Sequence, residues 1–555
     1  MFSLRKQFHI TYKSVYKSAA IALLCSSVLI GCNPSPTTNQ TSTSPNTTEV
    51  ATNPDSRILL GTTAQPRTID PADSYEVVGL NIIYNVTESL YTYEVGKTEL
   101  KPLLATAMPT ISEDGLTYVI PLREGVKFHD GEAFNAAAMQ FSLERFIKNG
   151  GKPSFLLGDI IAKIEATGDY ELTITLQRPF AAFPALLAFA GASAISPAAY
   201  EMGEGKFSPN QLIGTGPYTL AEFNSDTIKL DRNPDYWGDA PKNAGIDLQI
   251  FNNNSANLFN SLRTGAVDIA YQALDPEQVT TLLSDAKAGT VQSIEAEGTA
   301  VNFMVLNRNL APLDQPEVRQ AIAYLLDRNL INERVLQGQA EPLYSLIPTS
   351  FAASKPLFKE TYGDANIAAA KELLTKAGFS AEKPAVIPLW YPSGSTTRGI
   401  IATTLKDFAD RELGGILKFE PSDVEGATYF KNIAQGIYPA ALGNWYPDFL
   451  DADNYIQPLL DCEKGSEEKG CESGSAQNQG SFYWNEKMNQ LIDDQRTETD
   501  PNARLAIFAE IQKLIVTDVP YIPLWQGTEY VFAQPNIQGL AVNPSQSLPL
   551  WLLEK

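Results

Sequence analysis

Histidine is nearly absent: the 555-residue chain has two, His9 and His129. That excludes metal sites built on several imidazoles. Positive charge is also short, with 42 Lys and Arg against 64 Asp and Glu, a net charge of −22. A protein that tracks a nucleic-acid backbone needs a basic stripe, so nucleic acid is not expected as a partner. No G-x-G-x-x-G or Walker-type phosphate loop occurs. Gly214-Thr215-Gly216-Pro217 contains G-x-G, but Pro217 lacks the N–H that a phosphate cradle requires. No G-x-S-x-G elbow or H-E-x-x-H helix appears, and a Ser/His/Asp triad would have to use His129. The chain therefore does not read as an enzyme, a secreted hydrolase being the remote alternative, and no cofactor or metal is implied. No repeat of fixed period is present, which excludes solenoids and propellers.

Apolar residues make up 44% and aromatics 10%, enough for large cores. At roughly 150 residues per domain the length implies several domains or subdomains. Residues 1–31 carry Arg5, Lys6, Lys13 and Lys17, no acid, and the apolar run Ala19–Ile30. That run is short for a bilayer span and reads as a signal peptide. It ends Leu29-Ile30-Gly31-Cys32, which resembles the lipobox of bacterial lipoproteins, where cleavage precedes the cysteine and its thiol is acylated. An ordinary secretory signal is the competing reading. Lipidation at Cys32 would hold the protein on the periplasmic or cell-surface side of a membrane. Residues 32–56, rich in Thr, Ser, Pro and Asn, read as a flexible tether.

Two further cysteines, Cys462 and Cys471, flank a polar loop punctuated by Gly465 and Gly470. In an oxidising compartment they are expected to form a disulfide. Glu171–Leu176 alternates apolar and polar residues as a half-buried strand does. Leu116–Ile120 and Val126–Phe128, around Arg123-Glu124-Gly125, predict a hairpin. Asp314 and Glu317 fit a capping box with Pro316 in the first turn, and Gly338 is read as the stop of that run. Asp500-Pro501 opens another helix, and a third covers Ile367–Ala377, ended by Gly378. Interleaved strands and helices favour α/β or α+β lobes.

Segments over nearly the whole mature chain resemble the family 5 extracellular solute-binding proteins of ABC importers, the dipeptide, oligopeptide and nickel receptors. They include Gln65–Pro71, Asn85–Leu90, Leu122–Gly131 with Phe134-Asn135-Ala136 and Phe141-Ser142, Gly214–Tyr218, Arg232–Trp237, Leu262–Asp268 and Val318–Ile322 with Asp327-Arg328. The resemblance implies an α/β, two-lobed periplasmic-binding-protein-like fold with a hinge and an extra subdomain in the first lobe. It places the first lobe at 57–298 and 526–555, the subdomain at about 101–211, and the second lobe at 299–525. It implies a monomeric receptor that closes on a solute and delivers it to an ABC permease of the inner membrane.

Gly443–Tyr455 resembles the family segment in which the Asp three positions after a Trp pairs with a peptide's α-ammonium. Here that residue is Asp448, after Trp445. A buried ammonium needs such a partner. The competing reading makes Asp448, Asp451 and Asp453 solvated loop acids. Asn444 and Tyr446 belong to the same segment. Trp390 and Tyr391, before a turn at Pro392-Ser393-Gly394, either line side-chain pockets with Trp445 and Tyr446 or pack the core. Arg398 either meets a ligand carboxylate or stands on the surface. The arginine pair that oligopeptide receptors carry before the Trp is missing from Ile433–Leu442, and Lys431 is a poor substitute. Peptides are the expected cargo. Glutathione, haem, opines, oligosaccharides or metal chelates are the alternative, nickel chelates being disfavoured because His129 is the only mature histidine.

Overall fold

The computed structural model describes residues 55–555 apart from Asn253, Gln272, Ala273 and Gly394. The signal peptide, Cys32 and the tether up to residue 54 lie outside the described residues. One mixed sheet of 11 strands runs through the molecule. In chain order they are β1 (Arg57–Thr62), β2 (Tyr218–Phe223), β3 (Thr227–Arg232), β4 (Gly245–Ile250), β5 (Ile269–Tyr271), β6 (Gln292–Leu306), β7 (Ala340–Pro342), β8 (Ala385–Pro392), β9 (Leu417–Val424), β10 (Ala440–Trp445) and β11 (Tyr521–Ala533). The spatial order is β9-β8-β10-β6-β11-β5-β1-β4-β3-β2, with β7 paired to β11.

The antiparallel pair β6–β11 joins the two halves of that sheet. Its register runs from Gln292↔Ala533 to Val305↔Tyr521 and is broken between Glu297 and Val301. A Cβ on Gly298 would stand 2.2 Å from the Gly527 carbonyl oxygen, so the strands approach there more closely than a side chain permits. Beyond the break, Val301–Leu306 pairs with β10, and at the other end Val531–Ala533 pairs with β5.

The buried apolar residues divide at the same place. Most of those from Val301 to Trp525, Phe449 excepted, form one cluster. Ile58, Ile246, Ile269, Val531 and Leu550 belong to a second, to which the C-terminus returns. Lys555 closes that return with a 2.8 Å ion pair to Asp268. A third core, from Leu90 to Ala194, is built on a four-stranded antiparallel sheet of Thr110–Ile111, Thr117–Pro121, Glu171–Leu176 and Ile161–Gly168, and it also contains Phe449. A fourth, small cluster joins Leu258, Val267, Leu282 and Phe532.

Several local expectations hold. The strand Glu171–Leu176 forms as read. A helix covers Ile367–Lys376, and Gly378 follows at φ +87°, the left-handed conformation that stops it. Asp500 caps helix Pro501–Asp518 by accepting from Ala503 N at 2.8 Å.

Others are corrected. Val126–Phe128 is not the return strand of a hairpin. Thr117–Pro121 pairs instead with Thr110–Ile111 and Glu171–Leu176, whose alternating apolar residues supply the buried face. Lys127 makes only an isolated bridge to Ala133. Gln315, not Asp314, precedes the helix Pro316–Leu325, and no side chain caps it. That helix stops at Leu326, well before Gly338. Asp327 then caps a new helix, Arg328–Arg334, through Leu330 N. His129 is tied to the Gly214–Gly216 segment, its Nε2 3.0 Å from Gly216 O. A Cβ on Gly214 would meet Val86 O at 2.6 Å, so these glycines serve close packing.

Candidate functional site

Strand β10 ends at Trp445, and the chain turns through Tyr446–Tyr455 on the second-half side of the sheet. Asn454, 2% exposed, fixes that turn. Its Oδ1 accepts from Asp448 N at 2.8 Å and from Trp445 Nε1 at 3.2 Å. The three acids of the turn then have different fates. Asp451 accepts a bidentate pair from Arg504, 2.7 Å on each side, and caps the short turn Ala452–Tyr455 through Asp453 N. Asp453 is 1% exposed and lies 3.3 Å from Arg496 Nε, with Gln495 also donating to it. These two are structural ion pairs, not solvated loop acids.

Asp448 is the exception. No Lys or Arg among the described residues reaches ion-pair distance of it. Its carboxylate accepts from Tyr75 Oη at 2.5 Å and from Asn454 Nδ2 at 3.4 Å. Desolvation pushes its carboxyl above the usual range, and the two neutral donors only partly offset this. Tyr75 belongs to the first-half segment. It packs edge-on against Phe155. Nearby, Leu450 N donates to Tyr93 Oη at 3.0 Å, Ala181 N to Arg496 O at 2.7 Å, and Phe180 packs edge-on against Phe449. The third core and the turn after β10 therefore meet along a seam. At that seam lies a cavity of about 850 Å³, lined by Trp445, Asp448 and Asn454 from one side and Phe155, Gln177 and Phe180 from the other.

Arg398 sits in the first turns of helix Thr396–Leu413 and is half-buried, not a surface arginine. Its Nη2 donates to Asn444 Oδ1 at 2.5 Å and its Nη1 to Ser395 Oγ at 3.2 Å. Its Nε is buried without a partner, and no carboxylate among the described residues pairs with it. Burial pulls its guanidinium down from the usual value, with Tyr429 and Tyr446 opposing. Asn444 thus links Arg398 to the strand that leads into Asp448. Tyr446 is 51% exposed. Trp390 stacks on Tyr438 at 4.6 Å and abuts the core, so it packs at least as much as it lines. Tyr391 lies against Gly399 on the Arg398 helix. Cys462 and Cys471 are joined by a disulfide with a Cα–Cα distance of 5.7 Å.

Tyr75, Asn454 and Tyr93 belong to this arrangement but escaped the reading of the sequence. Asn454 had a signal, its place in the matched segment. Tyr75 had none, because its partner is 373 residues away.

The chain is similar in sequence and in fold to known proteins. The sequence model for bacterial extracellular solute-binding proteins, family 5 (middle), matches residues 99–467. The "Probable D,D-dipeptide-binding periplasmic protein DdpA" of Escherichia coli K12 is 27% identical over 503 residues, 88% of this chain and 92% of that protein. The glutathione-binding protein GsiB of Salmonella typhimurium is 28% identical over 488 residues, 86% of this chain and 90% of that protein. The structure of the periplasmic binding protein DppA from Helicobacter pylori, in complex with peptide STSA, superposes with a TM-score of 0.71 at 24% identity. That match covers 90% of this chain and 97% of DppA.

Proposed function

The chain belongs to the bacterial extracellular solute-binding proteins of family 5, the substrate-binding components of ABC importers, and we propose that its own solute is a short peptide held by its charged ends. Members of this family bind solutes for transport and are not enzymes. The observation that carries the proposal is the isolation of Asp448. Two acids of its turn are paired with Arg504 and with Arg496, whereas Asp448, which lines the same cavity as Arg178 and Arg496, has no Lys or Arg among the described residues at ion-pair distance. A buried carboxylate left without a cation is costly, and an incoming ammonium removes that cost.

In this reading the peptide's α-ammonium meets Asp448 beside the Tyr75 hydroxyl. Its carboxylate meets Arg398, which no carboxylate among the described residues pairs with and whose Nε is buried without a partner. Asn444 holds the guanidinium in place, and Trp445, Tyr446, Trp390 and Tyr391 wall the side-chain space. Closure occurs where β6 and β11 lose register at Glu297–Val301, bringing the lobe of 57–298 and 526–555 against the lobe of 299–525. The subdomain of about 101–211 supplies the far wall. Lipid on Cys32 and the tether of 32–56 keep the receptor near its permease on the outer side of the inner membrane, or at the cell surface. No helix among the described residues is long and apolar enough to cross a membrane.

The similarity to glutathione-binding proteins favours one other cargo, glutathione, which offers the same two kinds of pole. Calorimetric titration distinguishes them. Free di- and tripeptides are expected to bind and to raise Tm, since they bind only the folded state. Their N-acetylated forms are expected to bind at least about tenfold more weakly, having lost the charge that Asp448 meets. Binding of glutathione with no binding of any peptide overturns the peptide assignment.

A further inference from the structure

The wall across the cavity from Trp445 and Asn454 carries an aromatic ring that its own core does not use. The short helix Phe155–Gly158 buries Leu156 and Leu157 in the third core. Phe155 stays outside that core and is 47% exposed. A lone exposed apolar side chain is ordinary, but this one lines the cavity that Asp448 lines. Among the described residues, the other rings lining it are Phe180, Trp445 and Phe449. Phe180 and Phe449 are buried and pack edge-on against each other, and the Arg496 guanidinium stacks on Phe180. Trp445 is half-buried and donates to Asn454. Of these four rings, Phe155 is the exposed one.

Tyr75 fixes how far this ring stands from the acid. Its hydroxyl donates to Asp448 Oδ1 at 2.5 Å, and its ring meets Phe155 edge-on with centroids 6.1 Å apart. Phe155 is therefore one tyrosine side chain away from Asp448. In the first residue of a peptide the α-ammonium and the side chain leave the same carbon. An ammonium on Asp448 thus brings the first side chain, before any other, within reach of Phe155. Asp159 and Arg178 line the same wall, one charge of each sign, so that wall has no net charge with which to select an ionised side chain.

We infer that Phe155 forms the subsite for the side chain of the ligand's first residue, so that this receptor prefers short peptides beginning with an aromatic or large apolar residue. Contact between that side chain and the ring removes both from water. An aromatic side chain adds an edge-to-face pair of the kind Phe155 already makes with Tyr75. The inference rests on the peptide reading above and adds to it a side-chain choice at one position.

The test is calorimetric titration of the purified chain with Phe-Ala, Ala-Phe and Ala-Ala. The unaltered chain is expected to bind Phe-Ala at least about tenfold more tightly than Ala-Ala, the range of burying one large apolar side chain. Phe155→Ala is expected to bring that ratio below about threefold, while the ratio of Ala-Phe to Ala-Ala stays where it was. Equal affinities for Phe-Ala and Ala-Ala on the unaltered chain overturn the inference and leave the peptide reading standing. A preference for Phe-Ala that survives Phe155→Ala places the side chain on another wall and also overturns it. A variant that lowers the Ala-Phe ratio as much as the Phe-Ala ratio marks general damage to the cleft, with the same consequence. Failure of all three peptides to bind overturns the peptide reading and the inference together. The comparison on the unaltered chain holds whether or not the variant folds.

Discussion

Tyr75 donates its phenolic proton to Asp448 Oδ1 over 2.5 Å, joining residues 373 positions apart across the seam. The hydroxyl occupies one lone-pair direction of a carboxylate that has no cation, and a ligand ammonium can take another.

Replacing Asp448 by Asn tests that arrangement through two readouts that move differently. Peptide affinity is expected to fall about 10- to 100-fold, because a charge-assisted bond becomes a neutral one. The Tm of the ligand-free chain is expected to hold or rise, since the variant removes a desolvated charge. A Tm that drops along with the affinity would make Asp448 a structural acid.

The pH dependence follows from the same burial. Asp448 titrates above the ordinary Asp value of about 3.9. Binding needs its ionised form, so affinity is expected to fall as pH drops through that raised value. Stability moves the other way: a carboxyl raised in the folded state adds stability as it gains its proton. Titrations at stepped pH are expected to show the fall in the unaltered chain and a flatter profile in Asp448→Asn. Coincident profiles would contradict the assignment.

Arg504 is expected to matter for stability first. Its bidentate grip on Asp451 anchors the turn, and Arg504→Gln leaves a largely buried carboxylate unpaired. Denaturant unfolding is expected to show a loss of about 3 kcal/mol. Affinity is expected to fall less than in Asp448→Asn, because Asn454 still fixes the Asp448 backbone. No change in stability would mean that solvent already screens the pair.

Cys32→Ser is expected to move the protein from the membrane pellet to the soluble fraction after cell lysis, with peptide affinity unchanged. Continued sedimentation with membranes would refute the lipid anchor.

Local pattern made some of this legible in the sequence. Glu171–Leu176 and the helix after Asp500 could be read because alternation, capping and stop signals lie within a few residues of each other. The hairpin at Arg123–Gly125 misled because pairing is decided by competition. Glu171–Leu176, some fifty residues on, offers Thr117–Pro121 a better apolar face than Val126–Phe128 does. At the site, the spacing from Trp445 singled out Asp448 through resemblance. Which of the three acids stays without a cation could not be read there. That depends on Arg496 and Arg504, which the helices Glu486–Thr497 and Pro501–Asp518 bring back to the turn. Tyr75 was invisible for the same reason, since its meaning comes from contact across the seam.

The most direct measurement is a crystal structure of the chain with a bound dipeptide. The account predicts the peptide's α-nitrogen within hydrogen-bond distance of an Asp448 carboxylate oxygen, about 2.7–2.9 Å, with Tyr75 still against the same group. A peptide lying in the cleft with its α-nitrogen held by other groups, and Asp448 touching no part of it, would contradict the account.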